Sequence, residues 1–167
     1  DKKLAHNEYL KIDSNYLRGT LAEGLADTST GGLTEDEQQL LKFHGCYLQD
    51  DRDIRAGRRK HKLEKAFSFL IRVRVPGGVA TPEQWIKMDN LASDFANGTI
   101  KLTTRQAFQL HGVIKTQLKR TIQEINAAAM DTIAACGDVN RNVMCNPNPF
   151  LSQAHEDVLK ISQDISE

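Results

Sequence analysis

Residues 66–78, AFSFLIRVRVPGG, constrain the fold of this chain more than any other stretch. Phe67, Phe69, Ile71, Val73 and Val75 alternate with Ser68, Leu70, Arg72 and Arg74. That is the period of a β-strand with one buried face. Pro76-Gly77-Gly78 ends the run. Next, Thr81-Pro82-Glu83-Gln84 offers an N-cap, a proline at the first helical position and a capping-box glutamine. Trp85, Met88, Leu91 and Phe95 follow at helical spacing, with Trp85 and Phe95 read as core, and Asn97-Gly98 stops the helix.

Two more strands are expected near residues 99–104 and 106–113. A second amphipathic helix then places Ile114, Leu118, Ile122, Ile125 and Ala129 on one face. Strand, helix, strand, strand, helix is the order of an α+β ferredoxin-like sandwich, and a last strand between Thr132 and Val143 would complete it. After Pro147-Asn148-Pro149 a third helical stretch runs toward Glu167. Upstream, residues 1–65 are polar and broken. Thr34 and Glu37 form a capping box ahead of Leu40, Leu41 and Phe43, predicting a helix over 35–43, and the rest reads as an extended arm.

The 22 basic and 22 acidic residues cancel, so no global field recruits nucleic acid or an anionic membrane. No apolar run approaches the roughly 20 residues of a membrane span, and DKKLAHNEYLK lacks the core of a signal peptide. The expectation is a soluble, cytoplasmic protein with neither nucleic-acid nor membrane partners. Cys46, Cys136 and Cys145 form no CxxC or CxxxC pair, so no self-contained metal site is expected.

Alternation also says what the outer face of the sheet displays: Arg72 and Arg74; Lys101, Thr103 and Arg105; Gln109 and His111. Phe108 and Leu110 turn inward. A solvated face is the ordinary reading of polar strand positions. This one carries no acid, and like charges on neighbouring strands repel unless an anion lies across them. Both readings stay open on spacing alone, as does a purely structural His111 or an Arg74 paired with an acid of the arm.

Five stretches carry a family resemblance: SNYLRGTLAEGL, KFHGCYLQDDRDIR, LIRVRVPGGVATPEQW, IKLTTRQAFQLHG and GDVNRNVMCNPNP. Together, in this order, they resemble the N-terminal part of assimilatory sulfite reductase hemoproteins, in the siroheme-dependent nitrite/sulfite reductase family. KFHG followed by QDDRD is similar to the sulfite branch.

The resemblance implies an enzyme that reduces sulfite to sulfide with six electrons at a siroheme coupled to a 4Fe-4S cluster, fed by an electron-donor flavoprotein or ferredoxin. It implies siroheme contacts at Thr103, Thr104, Arg105, Gln109 and His111, and at Lys101, where the family commonly has arginine; Thr104 stands where asparagine is common. Arg72 and Arg141 match the family arginines on the substrate side.

The family's cluster cysteines have no counterpart here, so the chain reads as a fragment, inactive and without either cofactor alone. Its expected parts are an arm (1–65), a ferredoxin-like half domain (66–143) and the start of the next domain (144–167). An unpaired half domain is also expected to form a homo-oligomer. Two alternatives are a stand-alone anion-binding module and a nitrite reductase fragment.

Overall fold

The computed structural model describes residues 3–133, 135 and 140–167. Four antiparallel strands form one sheet: β1 (Cys46–Asp50), β2 (Phe67–Val73), β3 (Ile100–Leu102) and β4 (Phe108–Val113), in the order β1-β2-β4-β3. Helices α5 (Pro82–Phe95) and α6 (Lys115–Ala127) pack against each other, α5 on β3 and β4 and α6 on β2. This is the expected strand–helix–strand–strand–helix half domain.

The fourth strand comes from elsewhere. Among the described residues of 132–143 there is no strand; Asp131 makes only an isolated bridge to Arg74. The place beside β2 is taken instead by β1, from the N-terminal region, in register from Cys46–Ile71 to Asp50–Phe67. Gly45 makes this possible at a φ of +74°, because a Cβ there would lie 2.2 Å from the Thr132 carbonyl oxygen.

Nor are the first 65 residues an extended arm throughout. They fold into α1 (His6–Asp13), α2 (Leu21–Ala26), α3 (Glu35–Phe43), β1 and α4 (Arg52–Lys60). The α3 boundaries are those read from its capping box. Glu37 N donates to Thr34 Oγ1 at 3.3 Å, and Thr34 N donates back to Glu37 Oε2 at 2.9 Å. Leu40, Leu41 and Phe43 then join the same core as Phe69, Ile71, Val73, Met88, Leu110, Leu118 and Ile125. The N-terminal region is thus part of the core of the half domain. Lys115, a buried cation at the start of α6, fixes it further by donating to Thr30 O at 3.0 Å and Gly32 O at 2.8 Å.

Of the two aromatic residues expected in the core, Phe95 packs against it and Trp85 lies exposed. Trp85 is 46 % exposed and meets Phe108 edge-to-face at 5.2 Å, while Phe95 is half-buried under Arg120. Ile114 is the N-cap residue of α6 and is exposed, leaving Leu118 and Ile125 as the buried apolar residues of that helix. The last helix, α7 (Gln153–Ser166), packs on the Pro76–Gly78 turn, and its end accepts at Ser166 O from Arg74 Nη1 at 2.8 Å.

Candidate functional site

Strand register brings three of the candidate residues into one row. Arg72 on β2 and Lys101 on β3 both stand opposite Gln109 on β4, so two cations flank one amide across strands about 4.8 Å apart. A guanidinium only donates, so the amide must turn its oxygen toward it. In that orientation Gln109 Oε1 accepts from Arg72 Nε at 2.8 Å and also from Nη2, and Gln109 Nε2 donates to His111 Nε2 at 3.2 Å. His111 Nε2 is then an acceptor, which assigns a neutral imidazole with its proton on Nδ1. The electrostatics agree. Burial, then the charges of Lys101 and Arg72, hold the His111 pKa below its ordinary value.

A β-bulge shapes this face. Between the pairs Ile71–Leu110 and Phe69–Val113, β4 has one residue more than β2. Gly112 absorbs it at a φ of +82°, where a Cβ would lie 3.0 Å from Asn97 Cβ. Phe108, Leu110 and Val113 therefore all stay buried while Gln109 and His111 face outward. His111 and Gly112 open onto a hollow shared with Asp50, Asp51, Arg52 and Arg55.

Thr103, Thr104 and Arg105 are not on a strand face. Strand β3 ends at Leu102, and these residues make the hairpin turn to β4. Thr103 Oγ1 accepts from the backbone N–H groups of Arg105 and Ala107, each at 3.2 Å, so its hydroxyl is committed to closing the turn. Thr104 is exposed. Arg105 donates from Nη2 to Asn142 O at 3.0 Å, while its Nε is buried with no partner among the described residues.

Arg141 is exposed on an irregular segment, and its neighbour fixes that segment. Asn142, fully buried, accepts at Oδ1 from Val75 N (2.8 Å) and donates from Nδ2 to Val75 O (2.9 Å) and Arg105 O (2.9 Å). The segment bearing Arg141 is thus tied both to the chain just past β2 and to the Arg105 turn. Sequence reasoning missed Asn142; its one visible signal is its place beside Arg141 in VNRNV. Arg74, grouped with the face by alternation, is turned to structure instead, with Asp131 Oδ2 at 3.9 Å and the end of α7 as partners.

Burial pushes Cys46 up to about 12, Cys145 is free, and Cys136 lies outside the described residues. Among the described residues no three His, Cys, Asp or Glu side chains converge as metal ligands, and no helix is long and apolar enough to cross a membrane.

The chain is similar to known proteins over its whole length. Residues 61–128 match the family described as "Nitrite/Sulfite reductase ferredoxin-like half domain". The matched residues span β2, α5, β3, β4 and α6. The likeness extends beyond the half domain. The chain is 59 % identical over all 167 residues to the sulfite reductase [NADPH] hemoprotein beta-component of Staphylococcus haemolyticus, covering 29 % of it. It is 62 % identical over 160 residues to the protein of the same name from Anoxybacillus flavithermus, covering 28 % of that one. The chain therefore spans less than a third of these relatives' length. Among solved structures, the Mycobacterium tuberculosis NirA protein shares the fold of the half domain and its N-terminal region, with a TM-score of 0.72 over 95 % of this chain and 32 % of that one, at 22 % identity.

Proposed function

We propose that this chain supplies one wall of a siroheme site in a cytoplasmic enzyme that reduces sulfite to sulfide. The observation that carries the reading is the row Arg72–Gln109–Lys101, with His111 beside it, on strands whose outward positions hold no carboxylate. Such a face suits a ligand with several acid groups, since each cation gains a charge-assisted partner and the mutual repulsion is relieved. Arg105 fits the same ligand, because its buried Nε has no partner among the described residues.

Siroheme, coupled to a 4Fe-4S cluster, would supply the electron transfer, six electrons and six protons taking sulfite to sulfide and three waters. The chain's own residues bind and orient. Lys101, Arg105 and His111 hold acid groups of the macrocycle. Thr103 keeps the turn closed, with Thr104 at its exposed tip. Arg72 and Arg141 hold the sulfite oxygens and stabilise charge as the S–O bonds break. No ligand of the cluster is assigned to this chain, and the electrons would come from a donor flavoprotein or ferredoxin.

As an isolated chain it would be inactive. The open edge of β3, where Leu102 is 66 % exposed, would favour pairing with a second copy. A 1–65, 66–143 and 144–167 division remains the proposed organisation, with the first part sharing the core of the second. An absorption spectrum of the intact protein tests the reading: siroheme bands with sulfite turnover support it. A colourless full-length protein would leave a stand-alone anion-binding module, and turnover of nitrite in preference to sulfite would make it a nitrite reductase.

A further inference from the structure

We propose that Gln109 is a positioning residue for Arg72 and that its amide responds to the protonation of His111, so the guanidinium is clamped across the sheet only while the imidazole is neutral. The proposal takes its functional meaning from the anion-binding reading of Arg72, but the relay itself rests on hydrogen-bond chemistry alone.

A carboxamide has one acceptor end and one end that only donates. Gln109 sits between a group that only donates, Arg72, and one nitrogen of His111, at distances that satisfy all three partners in a single arrangement. That arrangement requires His111 Nε2 to carry no proton. Once the ring is protonated, both of its nitrogens donate, and Nε2–H faces the Gln109 NH2 group. The amide then rotates by half a turn, giving its oxygen to His111 and turning toward Arg72 an NH2 that cannot accept from it. Rotation strips the guanidinium of its acceptor on β4.

The surroundings keep the resting state on one side. Lys101 from β3 and Arg72 from β2 face the imidazole and oppose its protonation. At the corner of β1 and α4, Asp50, Asp51, Arg52 and Arg55 line the same hollow. Asp50 and Arg55 are paired with each other through two bonds, at 2.6 and 2.7 Å, and Asp51 accepts from Asp53 N at the start of α4. Neither acid is bonded to the ring. The sequence spacing hides this relay, because Arg72 and Gln109 meet only through the register of β2 with β4.

Nitrogen NMR of the 167-residue chain across the titration of His111, with no siroheme or sulfite present, tests the proposal. The expected result is a neutral His111 with its proton on Nδ1, and Arg72 Nε and Gln109 side-chain resonances that move with the His111 midpoint. In Gln109→Met the Arg72 response at that midpoint should disappear. In Gln109→Glu, whose two oxygens both accept, Arg72 should stop following His111 while the His111 midpoint rises. A neutral His111 protonated on Nε2 would overturn the proposal. So would an Arg72 response that persists undiminished in Gln109→Met, since that would be charge acting through space. Sulfite turnover does not enter, so failure of the relay and failure of the siroheme reading are separately visible.

Discussion

Asn142 pairs with Val75 as a strand residue would, accepting from its N–H at 2.8 Å and donating to its C=O at 2.9 Å. A side-chain amide thus continues the hydrogen bonding of the sheet just past β2, where no strand of the described residues supplies it.

Replacing Asn142 with alanine leaves the Val75 N–H and C=O and the Arg105 C=O without this partner in a buried place. Unmet buried groups cost roughly 1–3 kcal/mol each, partly recovered by relaxation and water, so a loss of about 2–4 kcal/mol is expected. Chemical denaturation of Asn142→Ala against the parent chain measures it. A change under about 0.5 kcal/mol, the scale of an ordinary surface substitution, would contradict the role given to this residue.

Lys115 makes a second such test. Its ammonium holds the Thr30 and Gly32 carbonyls, and Lys115→Met keeps the stem while removing both bonds. The 27–33 turn should open locally, with faster proteolysis and amide exchange there and a smaller change in global stability of about 1–3 kcal/mol. Unchanged exchange across residues 27–33 would count against the anchoring.

Stability should also depend on pH through His111. Its folded pKa lies below the ordinary 6.5, so below that pH the unfolded chain binds the proton first. The His111 contribution is complete above about 6.5 and falls as pH drops toward the folded value. Asp50, Glu64 and Glu124 are lowered too, by Arg55, Thr30 and Lys87 respectively, and their contributions are lost only in the more acidic carboxylate range. The slope just below 6.5 should flatten in His111→Asn. An unchanged slope would assign it to another group.

Local signals were readable in advance, and tertiary ones were not. The capping boxes of Thr34 with Glu37 and Thr81 with Gln84 formed as expected, because each closes within four residues. The alternation over 67–73 showed β2 and its outward Arg72. Strand β1 carried no such mark. CYLQD becomes a strand because β2 offers it an edge, which no pattern within those five residues displays. Arg105 was placed on a strand because alternation cannot see that Thr103 Oγ1 captures two backbone amides and turns the chain early. The link from Arg72 through Gln109 to His111 depends on cross-strand register and on an amide orientation, neither of which a sequence displays.

The most direct test of the central claim is one ratio in the intact protein, sulfite turnover divided by siroheme absorbance, compared for Arg72→Ala and Arg105→Ala. If Arg72 holds the substrate, its loss should leave siroheme bound and lower the ratio about tenfold to a hundredfold, the worth of one charge-assisted hydrogen bond of roughly 1.5–3 kcal/mol. If Arg105 holds the macrocycle, its loss should lower the absorbance while the ratio falls far less. An Arg72→Ala protein that loses its siroheme, beside an Arg105→Ala protein with full occupancy and no turnover, would contradict the roles assigned to these two residues.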